Sequence, residues 1–203
     1  MRVFITGTDT DVGKTVACAW AMVHTTASYW KPVQAGLDQT DEDTIRALTG
    51  ADEKRFIKTA YALPEPLSPH EAARRAGVRI EMASLQLPDD DNPLIVEGAG
   101  GLMVPLNDKS YIIDLIKQLG LPAILVCRTT LGTINHSLLS LAALRARDIP
   151  IAGVILCGPD VPHNREAIAT YGGVPIIAHL PPFDPLTREA LEAVTPEVDL
   201  MAL

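Results

Sequence analysis

Residues 7–15 read GTDTDVGKT and directly follow a short apolar run, Val3–Thr6. The end of this stretch, Gly13-Lys14-Thr15, is the end of a phosphate-binding loop motif, which lies between a strand and a helix. The usual spacing places a glycine at position 8, whereas this loop has its glycine one residue earlier, at Gly7. The stretch therefore predicts a variant phosphate loop that connects the first strand of a sheet to a helix.

The rest of the chain alternates short apolar runs with amphipathic segments, as in strand–helix–strand units. The predicted strands are Val3–Thr6, Ser28–Lys31, Leu94–Glu97, Ala123–Cys127, Ile151–Cys157 and Pro175–Ala178. The predicted helices are Thr15–Thr26, Asp43–Thr49, Pro69–Ala76, Ile112–Leu119, Ile134–Arg147, His163–Thr170 and Pro185–Ala193. Because several strands are apolar on both faces, helices should cover both sides of the sheet. The prediction is one three-layer α/β domain over residues 1–203, P-loop NTPase-like, with a mainly parallel sheet.

Two boundaries carry local signals. Ser68, Pro69 and Glu71 have the spacing of a capping box with proline at the first helical position. Residues 89–93 read DDDNP, which predicts a solvated turn.

Composition excludes several classes of protein. With 47% hydrophobic and 21% charged residues, the chain is globular and not disordered. Its net charge of -8, without any basic run, disfavours binding to nucleic acid or to an anionic membrane surface. Three widely spaced cysteines fit reduced core thiols. We find no signal-peptide pattern and no apolar run of about 18 residues, so we expect a cytoplasmic protein.

The loop has the groups that a nucleotide phosphate needs. Backbone N–H groups of Asp11, Val12, Gly13, Lys14, Thr15 and Val16 can converge on phosphate oxygens at the start of a helix. The Lys14 ammonium adds a positive charge, and the Thr15 hydroxyl can bind Mg²⁺. The alternative is an ordinary strand-to-helix turn with a chance Gly-Lys-Thr.

Acidic partners for such a metal are expected at the ends of neighbouring strands. Residues 94–101 read LIVEGAGG, so an apolar strand ends at Glu97 and glycines then allow close backbone approach. A second carboxylate is available in 41–43, DED, at a helix start. There the alternative to metal binding is simple compensation of the helix dipole.

Lys31 ends the second predicted strand, within 31–36, KPVQAG. Two lysines, Lys14 and Lys31, could then face one anionic intermediate and stabilise its developing charge. The alternative for Lys31 is a solvated lysine at the end of a strand.

These motifs together resemble the dethiobiotin synthetase family of biotin biosynthesis. The segments that carry the resemblance are, in order, GTDTDVGKT (7–15), KPVQAG (31–36), the Asp43 helix, PEPLSPH (64–70), VEGAGGLMVPL (96–106) and LGTINH (131–136). The family closes a ureido ring on 7,8-diaminopelargonate with CO₂ and ATP, through a carbamate and a carbamic-phosphoric anhydride. The resemblance implies the same reaction here, with release of ADP and phosphate.

The resemblance also implies roles for individual residues. Lys14 and Lys31 would hold the carbamate as catalytic residues, and Mg²⁺ would be bound by Thr15, Asp43 and Glu97. The expected nucleotide contacts are Asp11–Val16, Asp43, Glu97, Gly98, Ala99, Gly100, Pro181, Pro182 and Phe183. The expected substrate contacts are Thr10, Lys14, Lys31, Ala35 and the helix start Gly132, Thr133, Ile134 and Asn135. The family is a homodimer, in which this helix start meets the substrate carboxylate bound to the other subunit.

The chain departs from the family pattern at two places. Ala35 stands where family members usually carry a hydroxyl residue, so Thr8, Thr10 or Gln34 would have to supply that contact. Cys157-Gly158 stands where some members have an adenine-reading Asn-Asp pair. Since neither residue offers an amide to the adenine edge, we expect looser base selectivity, with other nucleoside triphosphates accepted beside ATP.

Other classes share parts of the pattern. A partition-type regulatory ATPase would carry a signature lysine at the position of Asp9, which is absent here. Amide-forming relatives in cobalamin synthesis carry an appended glutaminase domain, for which 203 residues leave no room. A non-enzymatic nucleotide-binding module would leave Lys31 and Glu97 without a role.

Overall fold

A computed structural model of the chain describes residues 1–89 and 92–203. Seven strands of the described residues form one sheet in which every pairing is parallel, in the order β4-β2-β6-β1-β7-β8-β9. Their bounds are β1 Arg2–Gly7, β2 Ser28–Trp30, β4 Phe56–Ile57, β6 Leu94–Gly101, β7 Ala123–Arg128, β8 Ile151–Cys157 and β9 Ile176–Leu180. Two short strands, β3 Val33–Ala35 and β5 Tyr61–Leu63, pair in parallel beside this sheet.

Helices cover both faces of the sheet. Their bounds are α1 Lys14–Val23, α2 Asp41–Thr49, α3 Pro69–Arg75, α4 Ile112–Leu119, α5 Thr133–Ala146, α6 Pro162–Gly172 and α7 Arg188–Glu192. Strand side chains alternate between two cores: Ile124 and Val126 pack with α1, whereas Leu125 packs with α5 and α6 on the other side. The predicted three-layer α/β architecture with a mainly parallel sheet is confirmed. None of the helices described is long and apolar enough to span a bilayer.

The strand order positions the candidate site. β6 lies between β1 and β2, with Phe4 opposite Val96 and Trp30 opposite Val96 on the other side. Parallel strands present their carboxyl ends at one edge, where open α/β sheets bind ligands. The end of β6 therefore lies between the loop that follows β1 and Lys31, which follows β2.

Several local predictions are corrected by the structure. The strands β3, β4 and β5 are only two or three residues long and were not predicted, because such short runs carry little periodicity. Ser68 does not cap α3: its Oγ lies 3.1 Å from His70 Nδ1, while Glu71 pairs with Arg74 and Arg75. The predicted turn at 89–93 includes Asp90 and Asp91, which lie outside the described residues.

Candidate active site

The phosphate loop is folded for anion binding before any ligand arrives. Asp11 (φ 56°) and Gly13 (φ 97°) both adopt left-handed backbone conformations, and α1 begins directly afterwards at Lys14. Alternation of this kind turns successive N–H groups toward one concave point. Gly13 is also required by space, since a Cβ there would lie 2.8 Å from Cys157 Sγ.

Lys14 is held within the loop. Its ammonium donates to the carbonyl of Asp9 at 2.9 Å, and the residue is only 7% exposed. Burial lowers the pKa of Lys14, Glu97 opposes this shift, and the like charge of Lys31 adds to it. An incoming phosphate would therefore meet an ammonium group that lacks a fully charged partner within the loop.

A buried cluster of charges lies beside the loop. The Lys31 ammonium bridges Asp41 Oδ2 and Glu97 Oε1, the latter at 3.1 Å. Thr15 Oγ1 lies 2.6 Å from Asp41 Oδ1 and 3.1 Å from Glu97 Oε1. Lys31 is 5% exposed and Glu97 only 1%. Two carboxylates, one hydroxyl and one ammonium thus meet at the carboxyl edge of the sheet.

The charges in this cluster stabilise one another. Burial alone would lower the pKa of Lys31, but the adjacent charges of Glu97 and Asp41 outweigh it, and the net shift is upward. Burial would raise the pKa of Asp41, but its contacts with Lys31 and Thr15 lower it below 3.8. Lys31 is therefore held as a cation and Asp41 as an anion at neutral pH.

The acidic partner from α2 is Asp41 and not Asp43. Asp43 forms a capping box with Thr40: its carboxylate accepts from the Thr40 N–H at 3.1 Å, and the Thr40 hydroxyl accepts from the Asp43 N–H at 3.0 Å. This corrects the expectation that Asp43 would join Thr15 and Glu97. The Thr-x-x-Asp spacing is a capping signal that the sequence analysis overlooked.

Glu97 has a further partner on its buried side. The Tyr29 hydroxyl donates to Glu97 Oε2 at 2.8 Å, and both side chains are almost completely buried. Burial, followed by the charge of Glu97, raises the pKa of Tyr29 well above its ordinary 10.0. Burial and Glu97 also raise the pKa of the Cys18 thiol, so both groups stay protonated.

These groups line one large cleft of about 850 Å³. It brings together most of the predicted phosphate, metal and substrate residues, which are Thr10, Asp11, Gly13, Lys14, Thr15, Val16, Lys31, Ala35, Glu97, Ala99 and Gly100. It also contains Gln34 and Asp41, which were not predicted as site residues. The Gln34 side chain holds the connection to α2, because its amide nitrogen donates to the carbonyls of Ala35 and Gly36.

A second cavity of about 300 Å³ lies on the other side of the phosphate loop. Pro181, Pro182 and Phe183 form part of its wall, as does the half-buried Cys157. Burial raises the pKa of Cys157 to about 12. Gly158 adopts φ 135°, and a Cβ there would lie 2.4 Å from Thr129 Oγ1, so this position cannot carry a side chain without rearrangement.

The loop residues Asp11, Gly13 and Val16 line both cavities. Arg128, at the end of β7, lies at the same junction and donates to the Thr10 carbonyl at 2.8 Å. The sequence analysis missed Arg128, although its place at a strand end was the signal that identified Lys31.

Some predicted residues do not line either cavity. Gly98 instead packs on Phe4, where a Cβ would lie 2.8 Å from the ring. The helix start Gly132, Thr133, Ile134 and Asn135 also lies outside both cavities. Thr133 is buried and donates to the Arg128 carbonyl at 2.5 Å, while Asn135 is exposed.

The cluster chemistry fits a hard divalent cation. Within residues 1–89 and 92–203, no group of three or more His, Cys, Asp and Glu could bind a metal alone. Mg²⁺, however, is usually bound by one or two carboxylates together with substrate phosphates and water. Thr15, Asp41 and Glu97 supply such oxygen atoms beside the phosphate loop.

Comparison with known proteins places the chain in a family. A family model described as "AAA domain" matches residues 1–190. An ATP-dependent dethiobiotin synthetase of Paramagnetospirillum magneticum is 48% identical over 96% of this chain and 94% of its own length. That of Agrobacterium fabrum is 48% identical over 94% of this chain and 91% of its own. This chain belongs to the ATP-dependent dethiobiotin synthetase family.

The resemblance read from the motifs is therefore confirmed. Among solved structures, a ParA-family ATPase from Chlorobium tepidum has a TM-score of 0.55 at 15% identity, covering 95% of this chain and 89% of its own. MinD from Pyrococcus horikoshii has a TM-score of 0.54 at 16% identity, with 94% and 84% covered. Similarity at this level concerns the fold alone.

Proposed function

We propose that this protein forms the ureido ring of dethiobiotin from 7,8-diaminopelargonate, CO₂ and ATP, releasing ADP and phosphate. One observation carries the proposal beyond family membership. Lys14, Lys31, Thr15 and Glu97 come from three different strand ends or their loops and line one cleft. A simple nucleotide-binding module would need the loop but not the second buried lysine with its two carboxylates.

The two cavities suggest where the nucleotide lies. The phosphates would bind the N–H groups between Asp11 and Val16, which border both cavities. The base would then occupy the smaller cavity beside Pro182 and Phe183, and the γ-phosphate would point into the larger cleft. This arrangement brings the transferable phosphoryl group beside Lys14 and Lys31.

The reaction would follow from positioning and charge stabilisation, without a side-chain nucleophile. One substrate amine bonds to CO₂ and loses a proton to solvent, which gives a carbamate held by Lys14 and Lys31. A carbamate oxygen bonds to the γ-phosphorus, and the bond to ADP breaks. The second amine then attacks the carbamate carbon, loses its proton and expels phosphate as the ring closes.

We propose Thr15, Asp41 and Glu97 as the residues that hold Mg²⁺. The metal ion, when bound, neutralises charge on the nucleotide phosphates. In the ligand-free protein the Lys31 ammonium neutralises these carboxylates instead. Lys31 is therefore free to turn to the carbamate only when the carboxylates have another cation.

A homodimer is part of the proposal. Helix α5 is apolar around its circumference: Leu141 and Leu144 are buried in the core, while Leu139 is 62% exposed on the opposite side and Leu131 just before the helix is fully exposed. A helix with an apolar outer face favours a partner. A second copy on this face would cover α5 and bring Asn135 toward the substrate of its partner. We also propose that the domain spans residues 1–203 and is cytoplasmic.

The reaction is tested directly with ¹³C-bicarbonate, MgATP and the diamine, followed by mass spectrometry. The expected product is a cyclic urea that is one mass unit heavier than with unlabelled bicarbonate. Nucleotide hydrolysis without this product would refute the proposed function.

The metal assignment is tested with a matched pair of variants. Asp41→Asn should raise the Mg²⁺ concentration needed for half-maximal activity by at least about tenfold, because it removes a charged ligand. Asp43→Asn changes a carboxylate two residues away and should leave this requirement unchanged, at a stability cost of at most about 1 kcal/mol for the helix cap. Equal effects of the two variants would contradict the assignment.

A further inference from the structure

The two carboxylate oxygens of Glu97 have different partners. Oε1 lies 3.1 Å from Thr15 Oγ1 and 3.1 Å from Lys31 Nζ, on the side of the cleft. Oε2 lies 2.8 Å from the Tyr29 hydroxyl, on the buried side. Tyr29 itself does not line the cleft. Tyr29 can therefore affect ligands only through Glu97.

The sheet fixes this contact. Tyr29 pairs with Ile95 in the register of β2 and β6, so Tyr29 and Lys31 lie on the same face as Ile95 and Glu97. The Tyr29 ring packs in the core beneath α1 and meets the Phe56 ring edge-on at 6.1 Å between centroids. Its hydroxyl consequently has little freedom to move away from Glu97.

We propose that Tyr29 is a positioning residue, whose hydroxyl holds Glu97 so that Oε1 faces Thr15 and the divalent cation. This inference rests on the metal site of the proposed function. A carboxylate ligand that is hydrogen-bonded on its other oxygen is oriented before the metal arrives, and loss of such a partner typically weakens metal binding about 10–100-fold. Because Tyr29 stays protonated beside a buried carboxylate, it remains a hydrogen-bond donor at neutral pH.

The test is direct binding of Mn²⁺, used as a paramagnetic probe, to the protein with ADP, followed by electron paramagnetic resonance. Tyr29→Phe removes one oxygen atom and should weaken Mn²⁺ binding about 10–100-fold. Affinity for ADP without metal should stay unchanged, because the loop is intact. The matched control is Tyr61→Phe, which removes another tyrosine hydroxyl, bonded to Ser84 at 2.9 Å and away from the cleft. It should leave Mn²⁺ affinity unchanged.

A double-variant cycle separates positioning from a general loss of stability. In the Glu97→Gln background, Tyr29→Phe should have no further effect on Mn²⁺ affinity if the hydroxyl acts through the carboxylate. The double variant also contains no buried charge without a partner at this position, which favours folding. A lower Tm of Tyr29→Phe with unchanged Mn²⁺ affinity would overturn the proposal, as would an equal loss in the Glu97→Gln background.

These measurements do not require the diamine. Mn²⁺ binding therefore tests the role of Tyr29 even if no cyclic urea is found, and the two failures are distinguishable.

Discussion

Replacing Lys31 by methionine removes the ammonium group that neutralises two carboxylates in the ligand-free protein. Glu97 is 1% exposed, so it would remain as a buried charge after the substitution. Breaking a buried ion pair from one side typically costs about 3–5 kcal/mol. We expect the lower end, about 3 kcal/mol, because Tyr29 and Thr15 still donate to Glu97 and Asp41 is partly solvated. For a domain of this size, about 3 kcal/mol lowers the Tm by about 6–12 °C.

The same substitution should have the opposite effect on ligand-induced stabilisation. In the wild-type protein MgADP competes with Lys31 for the carboxylates, whereas in Lys31→Met the metal meets no competing ammonium. MgADP should therefore raise the Tm of the variant by more than it raises that of the wild type. Ring formation should fall at least about 100-fold, since one charge-stabilising donor is typically worth that much.

The assay is thermal unfolding with and without MgADP, together with the ¹³C product assay. Lys109→Met is the matched control, because Lys109 is exposed. It should change stability by no more than about 0.5 kcal/mol. The reasoning is refuted if Lys31→Met keeps the wild-type Tm, or if it keeps turnover while MgADP stabilises both proteins equally.

Three further predictions follow from the same structure. Gly13→Ala should weaken ADP binding at least about tenfold by calorimetry, because its Cβ would lie 2.8 Å from Cys157 Sγ; Gly77→Ala, with a similar backbone but open space, should not. Rates with ATP, GTP and CTP should agree within about tenfold, since Cys157 and the proline-rich wall offer no amide to a base; strict use of ATP would contradict this. Glu71→Gln should remove the part of acid unfolding between pH 4.5 and about 2 followed by circular dichroism, because Arg74 and Arg75 lower the pKa of Glu71 to about 2, so its stabilising pairs are lost as pH falls through that range; an unchanged acid transition would show that these pairs contribute nothing.

Strong local signals predicted much of the fold. The apolar runs that became β1, β6, β7 and β8 are six to eight residues long, and the structure has all of them in a parallel sheet. The phosphate loop was found because its glycine, lysine and threonine are adjacent in sequence. Weak or competing local signals were misread: β4 is two residues long, and the serine before α3 bonds a histidine instead of capping the helix.

The acidic partner on α2 shows where spacing alone is insufficient. Asp41 and Asp43 lie two residues apart at the start of one helix, and both suit the same dipole. Their roles diverge because successive helical positions point in different directions, about 100° apart. Thr40 and Asp43 cap the helix, which leaves Asp41 turned toward Thr15 and Lys31.

The sequence by itself determined the phosphate loop, the α/β rhythm and the family, because each of these depends on residues that are neighbours along the chain. The tertiary structure decided which acid joins Lys31 and that Tyr29 supports Glu97. These contacts join residues up to 68 positions apart. They exist because β6 inserts between β1 and β2, and strand order of this kind is set by packing of the whole sheet and not by local sequence.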